Sequence, residues 1–256
     1  MVLSSITAAL GLQGWFGGST GPTTSSANEK GMATNSDDGP QLEAFSDAAF
    51  ENVLKQMKSP DLTGFDLFAD TRGVQVYRRM KGDSGLYEYK VIGVQSGVDA
   101  RTCARVNVDL DYRKKWDKYV NQLHKLKEYS SGLQVIYWQV AYPFPMTNRD
   151  YFFYRRTREM TFTTEAGRQQ PAWVTIGETA PADPVLCPET KALRCDEYQQ
   201  TMAITGDDAG TGSRLFLHCF DNPKGSIPTW LINYFASSGV SSYLDSVKKA
   251  VQDYKD

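Results

Sequence analysis

Two short segments carry residues whose types and spacing could do chemistry. In Asp111-Tyr112-Arg113-Lys114-Lys115-Trp116-Asp117-Lys118-Tyr119, Arg113 and Asp117 stand four apart and share a face if the segment is helical. A guanidinium whose charge is held by one carboxylate still has N–H donors to offer a phosphate. A surface ion pair, worth ~0–1 kcal/mol, has the same spacing. In the second segment, Trp138 and Tyr151 fall on adjacent strands around Pro143-Phe144-Pro145. Two aromatic faces plus a third can surround a quaternary ammonium, and ordinary cross-strand core packing uses the same residues. Spacing alone leaves both pairs open.

Covalent chemistry has little to start from. The sequence contains no Gly-x-Ser-x-Gly elbow, Walker loop, dinucleotide fingerprint or His-Glu-x-x-His motif. His124 lies among Lys125, Lys127 and Glu128, as on a helix surface, and His218 lies inside the strand pattern Leu215–Phe220. Cys103, Cys187, Cys195 and Cys219 lack the close pairing of a disulfide framework or zinc site. The expectations are no catalysis, no cofactor or metal, and a reducing, cytoplasmic setting.

A net charge of −2 argues against a nucleic-acid partner. No run of about 18 apolar residues suggests a membrane span. Residues 1–40 are rich in Gly, Ser and Thr, with no Lys or Arg before Lys30. They read as an untargeted, disordered extension, within which Met32 is an alternative start. Residues 41–256 then form one domain, expected to be monomeric.

The elements that must position the candidates follow from periodicity. Leu42, Phe45, Ala49, Val53 and Met57 recur at helical spacing until Ser59-Pro60. Strand patterns occupy 73–80 and 86–94. Residues 101 to about 128 read as helical, with Val106, Leu110, Trp116, Val120 and Leu123 on the buried face. Strands follow over 135–142, 151–162, 172–179, 193–205 and 213–220. Val240, Tyr243, Leu244, Val247, Val251 and Tyr254 give a closing amphipathic helix. Runs of strands followed by a helix argue α+β with an antiparallel sheet.

Four segments, in this order, resemble the START family of lipid-binding domains, and within it the phosphatidylcholine carriers. They are Leu86-Tyr87-Glu88-Tyr89-Lys90-Val91, Asp111–Asp117, Tyr142-Pro143-Phe144-Pro145-Met146-Thr147-Asn148-Arg149-Asp150-Tyr151 and Trp230-Leu231-Ile232-Asn233. Several long motifs in order are far more specific than one short pattern. The resemblance covers roughly residues 41–256. It implies a helix-grip fold: a curved antiparallel sheet wrapped around a long C-terminal helix, with an interior lipid tunnel.

It further implies that Arg113 binds phosphate beside its acidic partner Asp117, and that Trp138, Tyr151 and Tyr198 form a choline cage. Asn107 departs from the family, which has Tyr near the pocket, so acyl, glycerol or depth contacts differ there. The linker 179–194, with Pro181, Pro184 and Pro188, departs as well. The loop from Asp221 to Thr229 with the last helix becomes a lid, including Pro223, Gly225, Trp230 and Leu231, with Gly225 and Gly239 as joints.

Physics agrees with that assignment. A zwitterion taken out of water needs a partner for each charge. A trimethylammonium has no N–H to donate, so aromatic faces suit it better than a carboxylate. Each acyl methylene withheld from water contributes ~0.8 kcal/mol. The implied function is a non-catalytic carrier of one phosphatidylcholine, in transient contact with membrane surfaces. Two alternatives are a phosphatidylcholine sensor that recruits a partner such as an acyl-CoA thioesterase, and a lipid or acyl-thioester hydrolase. Lys114, Lys115, Lys118, Lys125 and Lys127 read as a solvated helix face that could also favour anionic membranes.

Overall fold

The computed structural model describes residues 37–225, 228–234 and 238–255. The N-terminal extension through Ser36, including Met32, lies outside the described residues, as do Ser226 and Ile227 of the lid.

Helix α1 (Asp47–Lys58) begins where the Ser46 hydroxyl accepts from the Ala49 N–H at 3.3 Å, and it ends before Pro60. Strands β1 (Asp66–Thr71), β2 (Val74–Met80) and β3 (Tyr87–Ser96) form a meander. Helices α2 (Ala100–Val108) and α3 (Leu110–Trp116) follow, each started by an aspartate. Asp99 accepts from Thr102 N–H and Asp109 from Tyr112 N–H, both at 2.8 Å. Then come β4 (Val120–Glu128), β5 (Gln134–Val140), β6 (Arg149–Thr163), β7 (Gln169–Thr179), β8 (Leu193–Cys195), β9 (Tyr198–Gly206) and β10 (Gly212–Asp221). The chain closes with α4 (Thr229–Tyr234) and α5 (Val240–Asp253).

The sheet runs β1-β2-β3-β10-β9-β7-β6-β5-β4 with antiparallel neighbours, and short β8 pairs in parallel with β6. Its two faces are buried differently. The inner face is covered by α2, α3 and α5, whose Tyr243, Leu244, Val247 and Val251 join Val74, Val76, Met202, Ile204, Leu215 and Leu217 in the main core. The outer face is covered in part by α1, where Phe50, Val53 and Met57 meet Ala172, Val174, Ile176, Ala203 and Phe216. This is the helix-grip α+β architecture. Among the described residues, no helix is long and apolar enough to cross a membrane.

Two expectations are corrected. The helical reading of 101–128 holds only through Trp116, because Val120–Glu128 is strand β4. Its register slips between Val120 and Gln122 and again between Lys125 and Lys127. The first bulge adds a residue, so Val120 and Leu123, three apart, both face the main core and imitate a helical spacing. His124, Lys125 and Lys127 therefore lie on a strand, not on a helix face. The expected strand 193–205 is two elements, β8 and β9, divided at Asp196-Glu197.

Candidate functional site

The hairpin β5–β6 pairs Trp138 directly with Tyr151. Both point to the inner face, and their rings stack with centroids 5.0 Å apart at 27°. Tyr198, first residue of β9, meets Tyr151 edge-on at 5.5 Å and Phe153 at 4.8 Å. Strand β7 runs between Phe153 and Tyr198, and it carries Gly177 there. A Cβ on Gly177 would lie 3.3 Å from Tyr198 Cε1 and 3.5 Å from Phe153 Cδ2. The missing side chain is what lets the two rings close over the strand.

Arg113 reaches the same place from α3. It is fully buried. Its Nε and Nη2 donate to Asp117 Oδ2 at 3.0 and 2.9 Å, and Nη2 lies 3.4 Å from the Tyr243 hydroxyl on α5. Asp117 caps the C-terminus of α3, and its Oδ1 accepts the Tyr119 N–H at 3.1 Å. The carboxylate is thus held from both sides, and the four-residue spacing is a buried pair and not a surface one. Burial works against the charge on Arg113, but Tyr243 and Asp117 outweigh it and raise the pKa. The guanidinium carbon sits 5.7 Å from the centre of the Trp138 ring and 5.8 Å from that of Trp116.

The five headgroup residues foreseen, Arg113, Asp117, Trp138, Tyr151 and Tyr198, are therefore gathered in one buried cluster. Burial, with Asp221 close by, pushes the Tyr151 hydroxyl well above its ordinary pKa, so it remains a donor, to Asp221 Oδ2 at 2.7 Å. The Trp138 indole N–H has no hydrogen-bond partner among the described residues. Asn107 is fully buried on α2, its amide donating to Cys103 O at 2.8 Å. Its Oδ1 is unpartnered among the described residues.

Residues not foreseen as parts of the cluster include Asp221, Tyr243, Phe153 and Gly177. The first stands at the edge of the lid loop, and only its place one residue past a strand pattern hinted at it. Arg149 was missed too. Its guanidinium donates to Pro223 O (2.9 Å), Lys224 O (3.0 Å) and Thr147 O (2.6 Å) while lying 4.3 Å from the Tyr142 ring centre. That fastens the loop after β10 onto β6. Gly225 takes φ +68° beside Arg149 Nη2, a conformation other residues rarely adopt. Gly239 has ordinary helical dihedrals, so no such need explains it. On α4, Leu231 is buried in the main core, whereas Trp230 is 55% exposed. Trp230 and Tyr234 border a cavity of about 400 Å³ shared with Lys118, Tyr119, Tyr142 and Pro143.

A curved sheet gripping a C-terminal helix, with a buried polar cluster between them, defines a lipid-binding domain class. The family model described as START domain matches residues 69–256, and the chain belongs to that family. The chain is 40% identical over 212 residues to mouse phosphatidylcholine transfer protein, which covers 82% of this chain and 95% of that protein. The human protein of the same name is 38% identical over 213 residues. Human StAR-related lipid transfer protein 7, mitochondrial, is 27% identical over 187 residues, 73% of this chain and 49% of that protein. The crystal structure of human STARD10 shares the fold with a TM-score of 0.67 at 22% identity, over 84% of this chain and 82% of that one.

Proposed function

We propose that this protein carries one phosphatidylcholine in its interior and passes it between membranes without making or breaking a covalent bond. The observation that carries this reading is the stack of Trp138, Tyr151 and Tyr198 beside a buried arginine. The arginine supplies the charge complement for a phosphate, and the rings supply it for a trimethylammonium. The relatives named for phosphatidylcholine transfer support the same ligand.

A non-catalytic role agrees with the chemistry at hand. His218 Nε2 lies 2.7 Å from Glu88 Oε2, and His218 belongs to the face of β10 opposite the main core. Exposed His124 stacks at 6.4 Å on Tyr137. Burial pushes the Cys103 thiol up to about 12 and Cys195 higher, which makes both poor nucleophiles. The loop fastened by Arg149, with α4, serves as the gate, and exposed Trp230 is its membrane-facing element.

Native mass spectrometry of the purified full chain tests the ligand. A one-to-one phosphatidylcholine adduct that weakens in Tyr198→Ala supports the reading. A different lipid class bound one-to-one, from a source containing phosphatidylcholine, keeps the fold and removes the choline assignment.

A further inference from the structure

Arg113 is not the only guanidinium buried against the sheet. Arg155, on β6, is 4% exposed. Its Nε and Nη2 both donate to Gln134 Oε1 on the neighbouring strand, at 3.0 and 2.7 Å. That amide is neutral, the carboxylates of Glu128 and Asp109 act on the charge only from a distance, and Nη1 has no hydrogen-bond partner among the described residues. Burial, and after it the positive charge of Arg113, lowers its pKa to about 10, so it stays protonated at neutral pH. A cation kept in that position without a carboxylate is costly unless something else meets it.

Arg155 lines a cavity of about 460 Å³ between the α2–α3 junction and strands β4–β6. Exposed Lys114 and Lys125 stand at its rim. Nearby carboxylates are already engaged. Asp109 accepts from Tyr112 N–H and from the Tyr254 hydroxyl, Asp111 pairs with Lys114 at 2.7 Å, and Glu128 pairs with Lys125 while accepting from the Gln134 amide at 3.0 Å.

We propose that this cavity is a second anion site, in which Arg155 Nη1 holds a phosphate-type anion entering between Lys114 and Lys125. The site adjoins the Arg113 cluster, whose charge reaches Arg155, and does not depend on the choline reading. The same chemistry is offered by inorganic phosphate and by the phosphomonoester of phosphatidic acid, so both sources are probed.

Calorimetric titration of the full chain, at constant ionic strength, is run with inorganic phosphate and then with monomeric short-chain phosphatidic acid. In the Arg113→Gln background, which removes the phosphate contact of the headgroup cluster, one-to-one binding is expected, and adding Arg155→Gln should weaken it at least tenfold. Phosphate binding alone marks a site for free anion; binding of phosphatidic acid alone marks a lipid source. Arg155→Gln is expected to melt in chloride no lower than the parent, since it removes a buried charge. Should it unfold, Lys125→Gln on the rim is the second variant, with about threefold weaker binding expected. The site is overturned by binding in the Arg113→Gln background that persists when Arg155→Gln is added, by binding lost in Arg113→Gln alone, by an unchanged Lys125→Gln where that variant is needed, or by no binding of either probe.

Discussion

The two faces of one sheet solve burial in opposite ways. On the outer face, α1 lays Phe50, Val53 and Met57 on Ala172, Val174, Ile176, Ala203 and Phe216, apolar surface against apolar surface. On the inner face the same sheet helps bury Arg113, Asp117, Trp138, Tyr151 and Tyr198 beneath α5. Apolar contact stabilises by about 25 cal/mol per Å² removed from water, whatever its shape. A buried ion pair has no such guarantee, because desolvation offsets much of its attraction. The outer contact is explained by stability alone. The inner cluster is not, and that asymmetry points to the inner face as the site of function.

The largest effect that sharpens this comparison is on the outer face. Phe50→Ala empties a fully buried position and should cost about 3–5 kcal/mol in urea unfolding. Its lipid selectivity should stay that of the parent; altered selectivity would mean that the two faces are not separable. Arg149→Met comes next. Three charge-assisted bonds to loop carbonyls are lost, of which the two to Pro223 and Lys224 hold the loop after β10, so local opening should become easier by about 2–3 kcal/mol. Hydrogen exchange in residues 222–225 and the rate of lipid transfer between vesicles should rise together. Trp138→Phe is subtler, since it keeps an aromatic ring but a weaker one for a cation. Preference for phosphatidylcholine over phosphatidic acid should fall about tenfold, equivalent to about 1.4 kcal/mol, with far less change in melting temperature than Phe50→Ala. Equal selectivity in parent and variant would reduce the aromatic cluster to core.

How much of this was legible in the sequence differs between the two faces as well. The amphipathic patterns of α1 and α5 announced their buried residues, because one helix face against one sheet face leaves a plain period. The strands of the inner wall were legible where alternation was regular, and illegible in β4, where a bulge sets the core residues Val120 and Leu123 three apart. Arg113 and Asp117 were found by their spacing, and Trp138 and Tyr151 by their hairpin. Their roles, and Tyr198 altogether, came from family resemblance. Gly177 and Tyr243 carry no local signal. Each matters because strands and helices distant in sequence converge on it, and a one-dimensional pattern does not record convergence. Arg155 reads like any of the arginines in Arg155-Arg156-Thr157-Arg158 until the register places it opposite Gln134 on the inner side.

The smallest effect concerns charge on the outer face. Glu88 Oε2 lies 2.7 Å from His218 Nε2, and Glu88 Oε1 lies 2.8 Å from Arg79. The hydrogen bond from the His218 ring, ahead of those from Arg79, lowers the Glu88 carboxyl from 4.5 to about 2 although burial opposes it. Between those values the unfolded chain binds a proton that the folded chain does not, so stability rises with pH across that window. The contribution is present above about 4.5 and is lost as pH falls toward 2. Solvent screening around its partly exposed partners, His218 and Arg79, keeps it to roughly 1 kcal/mol. In urea unfolding between these pH values, Glu88→Gln should therefore show a shallower loss of stability than the parent, while the two inner-face carboxylates, Asp117 and Asp221, are left unaltered. An unchanged slope would place the acid sensitivity elsewhere, with the inner-face carboxylates as the next groups to replace.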